Sequence, residues 1–345
     1  MSKGHSLLIS DYRRETPSAI SIAFEVPNEL QNEFQFKAGQ YLTLEANIDG
    51  EAVRRAYSIC TAPDSGELRV AIKEVPNGRF SSYANRSLQQ GDSLRVFPPE
   101  GRFVFDAQQP KHIGAFAAGS GITPLLSIAE TVLNTHPDNQ FTLLYGNKTQ
   151  KDTLFYNALH SLKKQYPSQF FLHEIYSQER VKNSLFGRMD GGTVKFVCKQ
   201  SPKAMDAFYI CGPEPMIHTV KDSLLEIGAD ETAIFFELFT PAEASQPVAT
   251  PKGNAHITLV VDEETFVFDM RSNTTLLEAA LSQKIDTPYS CQGGVCSTCI
   301  ARISEGTAEM EQNQILTDDE VAEGLVLTCQ AHPTSASLRV DFDDV

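Results

Sequence analysis

The chain of 345 residues lacks any long hydrophobic run. A transmembrane helix needs about 20 mostly apolar residues in succession, and no stretch of this sequence approaches that length without polar side chains. The first five residues, MSKGH, run into the polar residues 10–14 without the apolar core of a secretory signal. We therefore expect a cytoplasmic protein with no membrane partner.

The sequence also lacks the cysteine pattern of a disulfide-stabilised protein. It has seven cysteines, an odd number, and four of them lie close together near the C-terminus. Disulfide frameworks are typical of small secreted domains. Reduced thiols that bind metal are the better explanation.

Positive charge is scarce as well. The chain has 29 Lys and Arg against 44 Asp and Glu, for a net charge of −15. Residues 255–345 hold 16 acidic and 4 basic residues (net −12), whereas the preceding 254 hold 28 and 25 (net −3). This negative charge would repel the phosphates of a nucleic acid, so we expect no nucleic-acid partner. The acidic segment suits steering towards a basic protein surface, although a solubilising face explains the same charge.

What the sequence does contain falls into three patterns. Residues 1–108 alternate short apolar runs with Gly and Pro, which predicts an antiparallel β-barrel with one helix at residues 80–88. Residues 109–240 alternate strands and helices, which predicts a parallel α/β domain. The fold class is therefore multidomain, α+β and α/β.

The C-terminal segment is set apart by composition. Residues 241–254 are rich in Pro, Ala, Ser and Thr and are predicted to be a linker. Residues 255–345 begin with a predicted hairpin, and capping boxes at Thr275 and Thr317 open two helices. A third domain is expected here.

This third domain carries the most specific motif of the chain. Four cysteines occur with intervals of four, two and 29 residues: Cys291, Cys296, Cys299 and Cys329. That spacing is typical of plant-type 2Fe–2S ferredoxins. Gly293 and Gly294 permit sharp turns and allow backbone N–H groups to approach the cluster. A zinc ribbon, the alternative, would need two CxxC pairs. We therefore predict a 2Fe–2S cluster, which carries single electrons.

Hydride carriers deliver two electrons at once, whereas the cluster accepts one at a time. A flavin can accept a hydride and release its electrons singly, so we expect one between the hydride carrier and the cluster. Arg55 and Tyr57 lie on one face of a predicted strand, where Arg55 can meet a flavin phosphate and Tyr57 the flavin ring. Ser58 can reach the reactive nitrogen. Taken alone, Tyr57 is explained better by packing on a neighbouring strand.

Residues 78–83 are a second candidate flavin contact. Gly78 opens a predicted helix, and Ser81 and Ser82 lie in its first turn. Helix N-termini favour anions such as a pyrophosphate. An ordinary N-cap is the alternative for either serine.

A glycine-rich loop follows the first predicted strand of the α/β domain, the context of dinucleotide binding although the motif is not GxGxxG. Thr123 is expected as the helix N-cap and Pro124 as the first helical residue. Cys211 ends another strand at the same sheet edge and is either a nicotinamide contact or a small buried residue.

Taken in order, six motifs resemble those of the ferredoxin–NADP reductase family. They are RAYS at 55–58, GRFSSY at 78–83, GSGITP at 119–124, YGN at 145–147, YICGP at 209–213 and FFELF at 235–239. The tail resembles a plant-type ferredoxin, and together the two resemblances cover essentially the whole chain. They imply an FAD-binding β-barrel, an NAD(P)-binding α/β domain and a β-grasp ferredoxin domain at 255–345.

The resemblance also implies roles for residues. FAD would be bound by Arg55, Tyr57, Ser58, Gly78, Arg79, Phe80, Ser81 and Phe239. The nicotinamide nucleotide would be bound by Gly119, Gly121, Thr123, Pro124, Gly212 and Pro213. The residues implied to be catalytic are Ser58, Cys211 and Glu237. Plant reductases end on an aromatic residue that covers the flavin, whereas this chain continues.

The ribose phosphate of NADPH needs cationic and hydroxyl partners, and the candidates are Lys148, Lys151, Ser177 and Arg180. We expect NADPH rather than NADH on the strength of the resemblance. The predicted relay runs from NADPH through FAD and the cluster to an oxygenase component, most closely that of the di-iron oxygenases acting on aromatic acyl-CoA thioesters. A reductase for a desaturase, ring hydroxylase or hybrid-cluster protein, and a redox sensor without turnover, remain alternatives.

Overall fold

A computed structural model describes residues 3–105, 111–239 and 253–345 of the chain. These residues form two compact units, Gly4–Phe239 and the C-terminal residues that follow. The first unit contains a barrel and a parallel sheet, and the second contains the cysteine loop.

The barrel is a six-stranded antiparallel sheet. Its strands are β1 (His5–Thr16), β2 (Ala19–Glu25), β3 (Tyr41–Ile48), β4 (Glu51–Ser58), β5 (Leu68–Lys73) and β6 (Ser93–Val96). The strand order is β4-β3-β6-β1-β2-β5, and an antiparallel bridge between Ile59 and Val70 brings the two edge strands together. Helix α1 (Arg79–Ser87) contacts β3, β4 and β5. The antiparallel barrel is as predicted.

Strand β1 was not predicted. Its sequence is mostly polar, and only Leu7 and Ile9 bring an alternating pair of buried apolar side chains into the core. The rest of the strand is stabilised by backbone pairing with β2 and β6, which composition does not reveal.

The other part of the first unit is a parallel sheet with flanking helices. Its strands are β7 (His112–Ala118), β8 (Gln140–Asn147), β9 (Phe170–Tyr176), β10 (Leu185–Phe186), β11 (Ala207–Cys211) and β12 (Ile234–Glu237). Its helices are α2 (Ile122–Thr135), α3 (Tyr156–Gln165), α4 (Gly191–Gln200) and α5 (Glu214–Glu226). The order β10-β9-β8-β7-β11-β12 is parallel throughout, as the alternation of strand and helix predicted.

The second unit is a mixed sheet. Its elements are β13 (Asn254–Val261), β14 (Glu264–Arg271), α6 (Leu276–Ser282), β15 (Ile300–Glu305), β16 (Ala308–Met310), α7 (Asp318–Ala322), β17 (Leu325–Leu327), β18 (Ala331–Pro333) and β19 (Ser337–Asp341). Five strands lie in the order β14-β13-β19-β15-β17, with β13 and β19 parallel. Both predicted capping boxes, at Thr275 and Thr317, are formed.

Two predicted domain limits fall largely outside the described residues. The boundary at 108/109 lies in one gap, and residues 241–252 of the predicted linker lie in another. Asn254, the last linker residue in that prediction, already begins β13. In the part of the chain that the structure describes, no helix has the length and apolarity to cross a bilayer.

Candidate redox site

Three motifs that are distant in sequence meet at the carboxyl edge of the parallel sheet. Cys211 and Glu237 are register partners at the ends of β11 and β12. Gly121 lies so close to β11 that an added Cβ would sit 2.0 Å from the carbonyl oxygen of Cys211. Only glycine permits this approach, so the loop and the strand end are packed as one surface.

The barrel reaches the same surface through Ser58. The Ser58 hydroxyl donates a hydrogen bond to Oε2 of Glu237 at 3.3 Å, across 179 residues of sequence. Burial raises the pKa of Glu237 to about 8, and the bond from Ser58 lowers it only in part. Burial, with the charge of Glu237, also raises the pKa of Cys211 well above its ordinary value. Near neutral pH the site therefore holds a protonated carboxyl and a neutral thiol.

Arg55 and Tyr57 occupy the barrel strand β4 as predicted. The Arg55 guanidinium donates to the carbonyl of Arg54 at 2.6 Å and has no carboxylate partner among the described residues, so its charge is available to a phosphate. The Tyr57 ring lies 5.5 Å from that of Phe80, and burial raises the pKa of its phenol. A cation and an aromatic ring thus lie two residues apart on one strand.

The first turn of α1, after Gly78, has backbone N–H groups without a side-chain cap. Gly78 is the N-cap and no side chain caps α1, so the N-cap alternative for Ser81 and Ser82 is wrong. The Ser81 hydroxyl is bonded within the preceding turn. Phe80 is a core residue, and Arg79 pairs with Glu51 at 2.7 Å. The backbone N–H groups of the first turn of α1 are therefore the groups that could bind an anion.

The glycine-rich loop differs from prediction in its helix start. Residues Gly119–Gly121 form a 3-10 turn that runs directly into α2, so the helix begins at Ile122. Thr123 is therefore not the N-cap, and Pro124 is the third helical residue. The Thr123 hydroxyl instead donates to the carbonyl of Ser120 at 3.0 Å. Pro124 is tolerated because N–H groups of the first turn have no helical acceptor.

Lys73 was missed by the sequence analysis. It is the last residue of β5, and a Cβ added to Gly119 would lie 3.4 Å from its ammonium nitrogen. Burial and the charge of Lys148 lower its pKa, while Asp152 raises it. Its sequence signal is only a lysine at the end of a mostly apolar strand.

The residues predicted to select NADPH lie after β8 and β9. The backbone N–H of Ser177 donates to the carbonyl of Asn147 at 3.0 Å, which places Ser177 beside Lys148. The Arg180 guanidinium lies 4.0 Å from the ring of Phe186, a residue that is half exposed. Lys151, which follows β8 in the same segment as Lys148, is exposed. These side chains offer positive charge at the strand ends.

The predicted ligand cysteines converge in the second unit. Cys296 and Cys329 both lie within hydrogen-bonding reach of Cys291, and Cys329 is within reach of Cys299. Hydrogen bonds from these neighbouring thiols lower the pKa of Cys291. Throughout the described ranges, no three or more His, Cys, Asp or Glu side chains form a single-ion site.

The surroundings of these sulfurs fit a 2Fe–2S cluster, in which two irons share four thiolates. The Gly293 N–H donates to Sγ of Cys291 at 3.4 Å, as expected for a backbone that stabilises sulfur charge. Gly294 has φ +72°, and a Cβ there would meet Gln330 at 3.0 Å. Two glycines were expected to allow the sharp turns of the cysteine loop. The left-handed residues of the loop are Gly294 and Gln292 (φ 56°), and Gly293 is not one of them.

Comparison with known proteins gives the same three parts in the same order. Residues 7–105 match the oxidoreductase FAD-binding domain family, residues 116–222 the oxidoreductase NAD-binding domain family, and residues 259–334 the 2Fe–2S iron-sulfur cluster binding domain family. The fold also matches that of phthalate dioxygenase reductase (TM-score 0.63, 23% identity, 98% of both chains).

Full-length relatives narrow the assignment. One of the subunits of 1,2-phenylacetyl-CoA epoxidase from Escherichia coli is 40% identical over 99% of both chains. The ferredoxin reductase component of 3-ketosteroid-9-alpha-monooxygenase from Rhodococcus rhodochrous is 29% identical, over 99% of this chain and 97% of that one. With its flavin, nucleotide and cluster domains in this order, the chain belongs to the family of oxygenase reductase components that bind FAD, a nicotinamide nucleotide and a 2Fe–2S cluster.

Proposed function

We propose that the chain supplies electrons from NADPH to the di-iron oxygenase component of a phenylacetyl-CoA epoxidase, in aerobic phenylacetate degradation. The meeting of Ser58, Cys211 and Glu237 at one sheet edge carries the reductase half of this proposal. The similarity to the Escherichia coli epoxidase protein, over nearly its full length, supports the choice of partner. We place the reaction in the cytoplasm, where free thiols stay reduced.

FAD, when bound, accepts a hydride and releases electrons one at a time. Arg55 and the N–H groups that open α1 would hold its phosphates, and Tyr57 would pack against its ring. Phe239, which is 38% exposed, offers a second aromatic face at the end of the first unit. Ser58 and Glu237 would hold a proton beside the ring, since the raised pKa of Glu237 keeps its carboxyl protonated.

The nicotinamide nucleotide would lie along the edge made by the loop at Gly119, Gly121, Thr123 and Pro124 and the strand end at Cys211, Gly212 and Pro213. Cys211, whose side chain is fully buried at the end of β11, would lie beneath the nicotinamide as a neutral thiol, which excludes water without adding charge. Lys73 would attract the phosphates. The four cysteines of the second unit would hold the cluster through which electrons leave.

NADPH is proposed over NADH because Ser177 and Arg180, with Lys148 and Lys151, offer a hydroxyl and cations for the ribose phosphate. Replacement of Arg180 by glutamine should lower kcat/KM for NADPH about tenfold and leave NADH unchanged, the size of a charge-assisted hydrogen bond. Lys182→Gln is the matched control, because it removes a nearby exposed charge. Equal loss with both nucleotides would contradict the specificity role.

The decisive test of the partner is electron delivery to purified acceptors. The chain loaded with FAD and cluster is mixed with NADPH and, in turn, the phenylacetyl-CoA oxygenase component, a ring hydroxylase, a desaturase and a hybrid-cluster protein. We expect coupled turnover with the first. Turnover only with another acceptor would refute the partner, and failure of NADPH to bleach flavin absorbance would refute the reductase itself. A redox sensor would show no steady turnover with an artificial acceptor.

A further inference from the structure

Tyr145 lies near the end of β8 with its side chain fully buried beneath the glycine-rich loop. Its hydroxyl donates to the carbonyl of Gly119 at 2.9 Å and lies 3.5 Å from the carbonyl of Leu154. Burial raises the pKa of the phenol, so it remains a donor at physiological pH. No step of the proposed electron relay uses this hydroxyl.

The carbonyls of the glycine-rich loop are turned towards protein donors, of which Tyr145 is one. The Gly119 carbonyl also accepts the backbone N–H of Ile122, and the Ser120 carbonyl accepts the Thr123 hydroxyl. Gly119 itself is left-handed, with φ +56°. Carbonyl oxygens repel phosphate, whereas backbone N–H groups attract it. A loop whose carbonyls are held inwards is therefore prepared for an anionic nucleotide.

The contact with the Leu154 carbonyl connects the loop to another part of the same edge. Leu154 precedes Phe155, a left-handed residue (φ 57°) that opens α3. The segment before it, residues 148–153, carries Lys148 and Lys151. One buried hydroxyl thus lies against both the glycine-rich loop and the segment that bears candidate phosphate ligands.

We propose that Tyr145 is a positioning residue for the nicotinamide nucleotide: its hydroxyl holds the Gly119 loop and the 148–155 segment at the spacing that the nucleotide phosphates require. This inference rests on the proposed role of the loop in nucleotide binding. It concerns affinity and not the chemical step, because Tyr145 is buried beneath the loop.

The test compares Tyr145→Phe with Tyr209→Phe in the FAD- and cluster-loaded chain, with ferricyanide as acceptor. Tyr209 is also buried, and its hydroxyl donates to the carbonyl of Val104 at 3.1 Å, so its loss matches the cost of a deleted hydroxyl with an acceptor outside both segments. We expect Tyr145→Phe to raise the KM for NADPH about three- to tenfold, as for one lost buried hydrogen bond. The kcat and flavin content should not change, and Tyr209→Phe should keep the original KM.

An unchanged KM in Tyr145→Phe, or equal rises in both variants, would overturn the inference. Gly121→Ala separates this from failure of the proposed function. If Gly121→Ala raises the KM and Tyr145→Phe does not, only the positioning role is refuted; if neither does, the loop is not the nucleotide site.

Hydrogen exchange in the unmodified protein tests the same idea without a variant. NADP⁺ should protect the amides of residues 119–123 and 153–156 together, because one hydroxyl lies against both segments. Protection of the loop alone would refute the coupling.

Discussion

Replacing Glu237 by glutamine is expected to remove an alkaline loss of stability from the first unit. Glutamine has nearly the shape of a protonated glutamic acid and can accept the same hydrogen bond from Ser58, but it cannot ionise. The unmodified protein must instead create a charge beside Cys211 at high pH. The difference between the two proteins isolates that single ionisation.

The sign and size follow from the pKa of Glu237, which burial raises from 4.5 to about 8. The native state therefore holds the proton more tightly than the unfolded state. Its stabilising contribution is complete below pH 4.5 and is lost as the pH rises through 8. With 1.36 kcal/mol per pKa unit, this loss amounts to about 2–3 kcal/mol between pH 6 and pH 9.

The assay is chemical unfolding of the flavin-loaded chain at several pH values, followed by the fluorescence of released flavin. The free energy of unfolding of Glu237→Gln should fall less than that of the parent by the amount above. Glu25→Gln, which changes an exposed carboxylate of β2, should follow the parent. Parallel pH profiles for Glu237→Gln and the parent would refute the inference that Glu237 is the desolvated carboxyl.

Three further predictions test other parts of the site. Gly121→Ala places a Cβ 2.0 Å from the Cys211 carbonyl, so it should cost about 1–3 kcal/mol of stability and weaken nucleotide binding, as measured by thermal unfolding and nucleotide titration; an unchanged melting temperature would contradict this packing. Lys73→Gln should raise the KM for NADPH several-fold with FAD retained, whereas the exposed Lys164→Gln should not, and a smaller salt dependence of the KM should accompany the loss of charge. Cys299→Ser should abolish cluster absorbance and reduction of cytochrome c but preserve ferricyanide reduction. Cys198→Ser is the control and should keep all three. If Cys299→Ser retained the cluster, Cys299 would not be one of its ligands.

Much of the fold could be predicted because its signals are local. Strand alternation predicted the barrel, and the repeated strand, loop and helix pattern predicted the parallel sheet. Capping boxes at Thr275 and Thr317 marked two helix starts correctly, since both partners of each box lie within four residues. Strand β1 was missed because its aliphatic residues are confined to Leu7, Leu8 and Ile9 near its start, and the rest of the strand is mostly polar.

Local signals failed where a side-chain hydroxyl near a helix start had more than one possible hydrogen-bond partner. Thr123 carries a hydroxyl at a plausible helix start, yet the 3-10 turn at residues 119–121 already continues into α2 and the hydroxyl turns back to Ser120. Ser81 similarly bonds to its own turn. A hydroxyl near a helix start identifies a candidate, but its rotamer and neighbours decide its partner.

The sequence by itself determined the three parts of this protein and the chemistry of its cluster loop, because strand periodicity and cysteine spacing are properties of neighbouring residues. Only the tertiary structure brought Ser58 to Glu237, placed Lys73 over Gly119 and buried the hydroxyl of Tyr145 beneath the same loop. Those contacts join segments separated by tens to hundreds of residues. The pKa of Glu237 depends on the water that those segments exclude, so no motif could reveal it.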